Sequence, residues 1–599
     1  MTDQLNPFAV QTPEDIPAAD VVSLFVDVFG DYYNIPHPGH TFLNGPRGSG
    51  KSMMFRYLEP DCQQLKLSKP LADIPFFGVY VPIKNTEIKL TEFDRLTNRH
   101  ADIVLSEHFL VTFVAVKFFT SLLKAHIADP EKVYAKALRD FYVGKFTQLL
   151  RWNGWTEPLS AISPNADLTD IINTLRDLFS SYYSIVTSYL RSLAFTEEAL
   201  PYRGPLFGYL DFMLPVIQNV RSLGFMPGGP VFLLVDDADN LNTTQTRILN
   251  GWVSTRTSDD VSIKISTQMT YKTYLTATSQ AIASPHDFNE VNISSIYTSS
   301  KDKYVSRVEQ IVNRRLKMYG ISGTAQEFFP EYLKQEDAIR KRGEEIRSRW
   351  SEEGRGFRAS DDVTRYSRPD YIKSLHGKSK SGSTYRYAGF EQLVHISSGI
   401  IRYFLEAASL MFGEMRSQNN GAPVTQINTT VQDKIVKEQA RQFYFGEFDK
   451  MERDEKGGDE GVSQVKRLRN LIFALGGMFH SILISDSAER RVFSIALTDE
   501  NDEEVVQVFK LGVRYGYFHE SSIGNKEGTG RARLFILSRR LAPFFILDPT
   551  SFAGYKFATT AALKKAMDNP QRFNRQIGHE ATDEILEDPQ MTLFDGSGR

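Results

Sequence analysis

The sequence predicts an α/β fold organised on an open parallel sheet, and three stretches carry that prediction. His40-Thr41-Phe42-Leu43-Asn44 is a short strand candidate that runs into the glycine-rich GPRGSGKS of Gly45–Ser52 and then into helical spacing up to Leu58, before Pro60. Pro230-Val231-Phe232-Leu233-Leu234-Val235 is wholly apolar, the pattern of a strand buried on both faces, and it ends in Asp236-Asp237-Ala238-Asp239. Phe76 to Ile83 (FFGVYVPI) is a further buried-type run, expected beside the strand of residues 40–44.

The glycine stretch is the most specific of these signals. It fits G-x-x-x-x-G-K-[ST], the phosphate-binding loop, so the sheet is predicted to be that of a P-loop NTPase. Gly45, Gly48 and Gly50 let the backbone turn tightly and aim its N–H groups at phosphate oxygens, with Pro46, Arg47, Ser49 and Met53 completing the loop and its exit. Lys51 adds a point charge for the β- and γ-phosphates, and the Ser52 hydroxyl is placed to ligate Mg²⁺. The bland alternative is a glycine turn in another fold, but strand, spaced glycines, Lys, Ser and helix would then coincide by chance. ATP and Mg²⁺ are the expected cofactors. Asp236 would hold the Mg²⁺ shell, and Asp237 would orient or deprotonate the attacking water. The competing reading of these two is an acidic strand-to-helix turn.

The remaining elements follow in order. Met1 to Pro17 is polar and proline-punctuated and reads as an arm lying on the core, and Ala18 to Phe29 as a helix. A helical insertion occupies about residues 100–225, with segments near Ser106–Ile127, Pro130–Leu150, Leu168–Ala194 and Tyr202–Leu223. It is either a partner platform or a bundle covering the sheet. Val261 to Gln268 is another strand, and Thr267 or Gln268 at its polar end is the candidate contact for the γ-phosphate or the attacking water, against a plain strand-end cap. Glu290–Ile293 reads as the last strand of a core spanning residues 1–300.

Residues 301–426 read as a helical lid that opens with an amphipathic helix from Lys301 to Tyr319. Within it, about 321–388 is rich in charge, Gly and Ser, with Lys341, Arg342, Arg347, Arg349, Arg355, Arg358, Lys378 and Lys380, and is expected to be a solvated or mobile insertion. Arg402 follows Ser397-Ser398-Gly399-Ile400-Ile401 at a helix junction and is a candidate to reach the nucleotide, or else a surface arginine. Residues 427–565 give helices, a strand near Arg491–Leu497, a helix near Glu503–Tyr515 and a hairpin with a glycine-rich tip, the pattern of a winged helix. Lys526, Arg531, Arg533, Arg539 and Arg540 are its candidate DNA-phosphate contacts; protein docking is the alternative use of such a module. Residues 566–599 read as an acidic, disordered tail. It contains Gln590, Leu593 and Phe594 in a Q-x-x-L-F pattern that resembles the peptide by which bacterial DNA enzymes dock on the replication sliding clamp.

Composition narrows the function classes. Among 599 residues, Lys+Arg is 70 and Asp+Glu is 73, a formal net charge of -3, so any nucleic-acid surface has to be local. The one cysteine, Cys62, excludes an internal disulfide framework and a cysteine-based zinc site. No signal-peptide pattern opens the chain, and the most apolar stretch, Phe109 to Leu123, contains Lys117 and reads as too short to span a bilayer. A cytoplasmic protein without a membrane partner is expected.

The order of parts resembles an AAA+ ATPase of the initiator (origin-recognition) type. GPRGSGKS, LLVDDAD, the polar strand end at Thr267, SGIIR and the winged helix carry the resemblance over about two-thirds of the chain. It implies ATP and Mg²⁺ binding, a second-sensor role for Arg402, assembly into homo-oligomers, and contact of the winged helix with DNA or protein. The chain departs from that family's pattern in three places. Asp236-Asp237 replaces the usual Asp-Glu and is more similar to STAND signalling ATPases, the sensor is Thr267 or Gln268 rather than Asn, and no Arg lies between Gln268 and Glu290. Proteins of this mixed type resemble ATPase components of bacterial anti-phage defence systems.

Two functions follow. One is an ATP hydrolase working on or recruited to DNA, with Lys51, Asp237, Thr267 and Arg402 as its catalytic set. The other is a nucleotide-gated scaffold that assembles and recruits an effector protein with little turnover. A P-loop small-molecule kinase is the third class, but it has no use for the lid and C-terminal domain.

Overall fold

The structure, a computed structural model, describes residues 4–577 except 11, 29–31, 86–92, 94–95, 97–98, 196–200, 256–258, 269–270, 294–300, 353–358, 376–383, 456–462, 487–488, 500–501, 525–529 and 552–553. The chain forms two compact units, one of Gln11–Ser294 and one of Met1–Val10 with Ser295–Arg599.

The first unit is built on β1 (Thr41–Asn44), β2 (Phe77–Pro82), β3 (Val231–Asp236), β4 (Val261–Thr267) and β5 (Asn289–Asn292). All pairings are parallel, in the order β2-β3-β4-β1-β5. This corrects one expectation: β2 pairs with β3, not with β1, and β4 takes the place beside β1. An apolar run specifies burial on both faces but not the neighbour, which the right-handed crossovers decide. β1 to β4 are buried along their whole length. Lys264 sits inside β4 and is buried because its Nζ donates to the carbonyls of His37 and Gly39, 2.7 Å each, tying the lead-in of β1 to β4.

Four helices of this unit matter for the site: α1 (Lys51–Tyr57), α2 (Arg99–Lys124), α3 (Leu168–Ser192) and α4 (Thr243–Ser254). α2 packs along α3, β2 and α4. Its Phe118 meets Phe77 of the sheet at 5.8 Å, and its Phe119 stacks on Phe179 of α3 at 5.7 Å. The insertion therefore covers the sheet. With 26 residues α2 is longer than the apolar stretch seen in the sequence, and by length and composition it could cross a membrane. It is instead a core helix, with 67% of its apolar window buried.

The second unit contains α5 (Lys301–Met318), α6 (Leu333–Glu352), α7 (Ala359–Leu375), α8 (Phe390–Ile396) and α9 (Ile401–Gln418). The N-terminal arm is divided: its part up to Val10 belongs here, while residues 12–17 stay with the sheet unit, where Glu14 Oε1 accepts from the Tyr80 hydroxyl of β2 at 3.1 Å. Phe8 is buried between Phe328 and Phe329, and the Asn6 amide donates to the Ser409 carbonyl at 3.1 Å, so a single buried ring fixes a segment whose polar neighbours gave no address. The charge-rich insertion is also more structured than expected: α6 and α7 pack together as a helical hairpin. Arg368 of α7 bridges Glu336 of α6 at 3.0 Å and the Tyr385 hydroxyl at 2.6 Å, while Arg490 reaches Asp370 at 2.5 Å. Arg368 and Asp370 thus serve as paired anchors, while Lys341, Arg342, Arg347 and Arg349 stay exposed on helix-forming sequence. Arg355, Arg358, Lys378 and Lys380 lie outside the described residues.

The C-terminal part continues with α10 (Thr429–Arg441), α11 (Gln464–Ile484), β6 (Val492–Leu497), α12 (Glu503–Arg514), β7 (Phe518–Gly524) and β8 (Arg531–Leu537). β7 and β8 pair antiparallel from Phe518↔Leu537 to Gly524↔Arg531 as the wing, and Phe509 of α12 stacks on Phe535 at 4.2 Å to hold helix against wing. A strand absent from the sequence reading, β9 (Gly554–Ala558), adds parallel to β6. α13 (Thr560–Asp568) and α14 (Pro570–Ile577) then pack on α11, so the folded region extends past residue 566. Gln590, Leu593 and Phe594 lie outside the described residues.

Candidate functional site

The site is assembled at the carboxyl ends of β1, β3 and β4. Asn44 stands opposite Thr267 and Val235 opposite Ile265, so the glycine loop and the acidic run leave the same end of the sheet on either side of β4. With strands spaced about 5 Å apart, the two runs start about 10 Å from one another, close enough to share one ligand.

The loop is shaped by backbone that only glycine tolerates freely: Gly48 and Gly50 have φ of 86° and 102°. Gly45 is needed for space, because a Cβ there would lie 2.3 Å from Ile293 Cγ1. The Gly45 N–H donates to the Thr267 carbonyl at 3.1 Å, which pins the loop entrance to the end of β4. Lys51 is buried, and its Nζ donates to the carbonyls of Gly45 at 2.7 Å and Pro46 at 3.0 Å. Burial pulls the Lys51 pKa below its ordinary value, against the opposing pull of Asp236, Asp237 and Asp239. These carboxylates belong to the run that leaves β3 at the same end of the sheet as the loop. Arg47 is exposed, Pro46, Ser52 and Met53 are half-buried, and the Ser49 hydroxyl is buried without a hydrogen-bond partner among the described residues.

Asp236 is buried at the end of β3. Its Oδ1 accepts from the Ser266 hydroxyl, and its Oδ2 accepts from the Tyr80 hydroxyl at 2.8 Å. The Ser266 oxygen in turn accepts the Asp237 N–H at 2.9 Å, so one serine fixes both aspartates. Each carboxylate oxygen of Asp236 keeps a second lone pair. Together with the Ser52 hydroxyl this is an all-oxygen donor set, which fits a hard cation such as Mg²⁺. Asp237 occupies left-handed backbone at φ 55°. Burial and the neighbouring Asp236 charge raise its pKa, against Lys51, Arg47 and Lys84. A carboxylate with a raised pKa is a better proton acceptor than an ordinary surface aspartate.

Thr267 is placed differently from the expectation. It is buried, and its hydroxyl donates to Asp239 Oδ1 at 2.6 Å, while the Gln268 N–H donates to Asp239 Oδ2 at 2.6 Å. The hydroxyl thus faces a carboxylate, which corrects its reading as a γ-phosphate contact. Asp239, Ser266 and Tyr80 are the polar groups that sequence reasoning missed. Asp239 stood in the quoted DDAD run, and Tyr80 is the one hydroxyl in an otherwise apolar strand, a signal that the strand needs a polar partner.

The remaining candidates lie in the other unit. Arg402 is exposed in the first turn of α9, without a hydrogen bond or ion pair among the described residues. Arg531 and Arg533 are carried by the wing, the former donating to the Ser522 carbonyl at 3.2 Å and the latter 3.8 Å from Glu520. Arg539 is not a surface contact: it is 2% exposed and donates to the carbonyls of Pro549 at 3.1 Å and Ser551 at 2.5 Å. Arg540 is also committed, its guanidinium lying 3.7 Å from the Tyr403 ring centroid and 4.1 Å from that of Phe443. Charge alone marked both as phosphate contacts, but the chain turns inward after β8 and carries them into the fold. Lys526 lies outside the described residues.

A protein-family model described as ORC-CDC6-like matches residues 6–360 and 349–557. Among solved structures, the chain is similar to Cdc6p from Pyrobaculum aerophilum, with 11% identity and a TM-score of 0.25 over 95% of this chain and 97% of that one. It is likewise similar to the Aeropyrum pernix Orc1 protein, solved in complex with DNA, with 10% identity and a TM-score of 0.26 over 95% and 97% of the two chains. No curated protein matches the chain significantly.

Proposed function

The chain belongs to the ORC-CDC6-like family, and from that premise we propose that it binds ATP with Mg²⁺ at Gly45–Met53, hydrolyses it, and acts on or is recruited to DNA. The observation that carries the reading is that the glycine loop and the Asp236–Asp239 run leave the same end of the sheet on either side of β4, with the loop entrance hydrogen-bonded to the Thr267 carbonyl at 3.1 Å. The loop amides and Lys51 neutralise the triphosphate, and Asp237 orients water and accepts its proton. Ser52 and Asp236 would hold the metal, which would supply charge stabilisation to the phosphates. Asp239 acts through others, as the clamp that holds the ends of β3 and β4 together.

The domain division belongs to the same proposal: a P-loop core to about residue 300, a lid at 301–426 and a winged helix at 427–565. Arg402 is the lid residue that senses nucleotide, and the wing arginines, exposed Arg531 and half-buried Arg533, are the DNA-phosphate contacts. Action as a homo-oligomer in the cytoplasm completes the reading. The deciding experiment is phosphate release by wild type, Asp237→Asn and Lys51→Ala with Mg²⁺ and DNA, alongside calorimetric ATP titration. ATP binding without any phosphate release by wild type removes the hydrolase reading.

One observation favours the second reading, a nucleotide-gated scaffold. The Thr267 hydroxyl is committed to Asp239, and no arginine lies between Gln268 and Glu290, which leaves the site short of groups that act only in the transition state. In that reading ATP changes the assembly state, and the closed form recruits an effector protein, as the double aspartate's resemblance to signalling and defence ATPases implies. An ATP-dependent change of mass without turnover is its expected signature. Docking on a sliding clamp through Gln590, Leu593 and Phe594 is a separate proposal, tested by deleting those residues and measuring clamp binding.

A further inference from the structure

In the second unit a cavity of about 570 Å³ opens between α9, α10, the π-helical turn Gln442–Gly446 and the chain leading into β7. One wall is a stack prepared by the fold. Tyr403 and Phe443 sandwich the Arg540 guanidinium, and Tyr517 lies behind Phe443 at 4.3 Å with its hydroxyl donating to the Phe443 carbonyl at 2.9 Å. The lining also includes large apolar groups that stay exposed, Leu410 at 48% and Tyr515 at 42%.

The charge of this groove has a definite sign. Glu406, Glu438 and Glu447 line it against one cation, Arg540, which is already held between two rings. Glu447 pairs with Lys450 at 2.7 Å. Glu406 and Glu438 are exposed and have neither hydrogen bond nor ion pair among the described residues. Carboxylates beside aromatic faces are the chemistry that holds a cationic side chain, and the same carboxylates repel phosphate.

We propose that this groove is a docking site for a basic segment of a partner protein. It seats an arginine or lysine side chain between Tyr515 and the carboxylates of Glu406 and Glu438, with an apolar neighbour on Leu410. The site is independent of the nucleotide reading, and the wing arginines Arg531 and Arg533 are not among its lining residues. Its sign of charge makes it a protein site where the wing is a nucleic-acid candidate.

The test is fluorescence anisotropy on the full chain with a labelled short peptide alternating arginine and leucine. Its glutamate-for-arginine counterpart and a labelled single-stranded oligonucleotide are the comparison probes. The arginine peptide is expected to bind and the glutamate peptide not. Charge reversal by Glu406→Lys with Glu438→Lys is expected to weaken the arginine peptide about tenfold and leave the melting temperature unchanged, because both side chains are exposed and unpaired among the described residues. Tyr515→Ala, which leaves all charges in place, should weaken it severalfold. Absence of arginine-peptide binding, equal binding by the reversed variant and wild type, or oligonucleotide binding that Tyr515→Ala abolishes would each overturn the proposal. The last outcome would make the groove a base-stacking site.

Discussion

Thr267 donates its hydroxyl to Asp239 across 2.6 Å, and the next residue's amide donates to the other oxygen of the same carboxylate. Two strand ends, β3 and β4, are thereby locked by one side chain beyond the Asp236-Asp237 pair. Asp239→Ala leaves the Gln268 amide without its acceptor and the Thr267 hydroxyl with only the Gln268 carbonyl, 3.0 Å away, and the expected cost is about 1–3 kcal/mol of stability by urea titration. Asp239→Asn keeps an acceptor for one of the two donors and should lose less. Equal stability of Asp239→Ala and wild type would remove the clamp.

Lys51→Ala removes the ammonium that faces the loop carbonyls and the three aspartates. Phosphate release is expected to fall about 10²–10³-fold. The melting temperature should hold or rise, because burial already disfavours this charge. A variant that melts early while still turning over ATP would contradict the placement.

Asp237 gives a pH signature. Its folded pKa is raised by burial and by Asp236, so folding favours the protonated form. That contribution is fully present below the unfolded pKa, about 3.9, and is lost as pH rises through the folded value. Asp237→Asn is therefore expected to be more stable than wild type at pH 7, with the advantage shrinking toward pH 3.5, as thermal melts across pH would show. The same substitution should abolish phosphate release while calorimetry still detects ATP. A stability difference that grows toward acid would reverse the sign and exclude the raised pKa.

The basic residues after the wing should separate into two classes. Arg539→Ala leaves the Pro549 and Ser551 carbonyls without their donor and is expected to destabilise the chain by about 2–4 kcal/mol. Arg531→Ala with Arg533→Ala should leave the melting curve in place. In DNA titrations at several salt concentrations, each arginine–phosphate pairing removed should reduce the slope of log K against log salt by about 0.9. A DNA slope that does not change in the double variant would take the wing out of the interface.

The parts whose signal is local could be read from the residues alone. Gly45–Ser52 declares its chemistry because the loop needs glycine, lysine and serine at fixed spacing. The Val231–Asp236 run declares a buried strand because nothing in it can face water, and the wing declares itself by two short strands around a glycine-rich tip. Which polar groups answer one another was settled by packing. Strand order put β4 between β1 and β3, and this turned Thr267 toward Asp239, gave Asp236 the hydroxyls of Tyr80 and Ser266, and left the β2 edge far from the glycine loop. It also drew Arg539 and Arg540 out of the predicted basic patch, burying one among carbonyls and stacking the other between rings. The physical reason is range. Backbone conformation and burial are set over a few neighbouring residues, whereas a carboxylate or guanidinium takes its partner from chain that is distant in sequence and brought close only by packing.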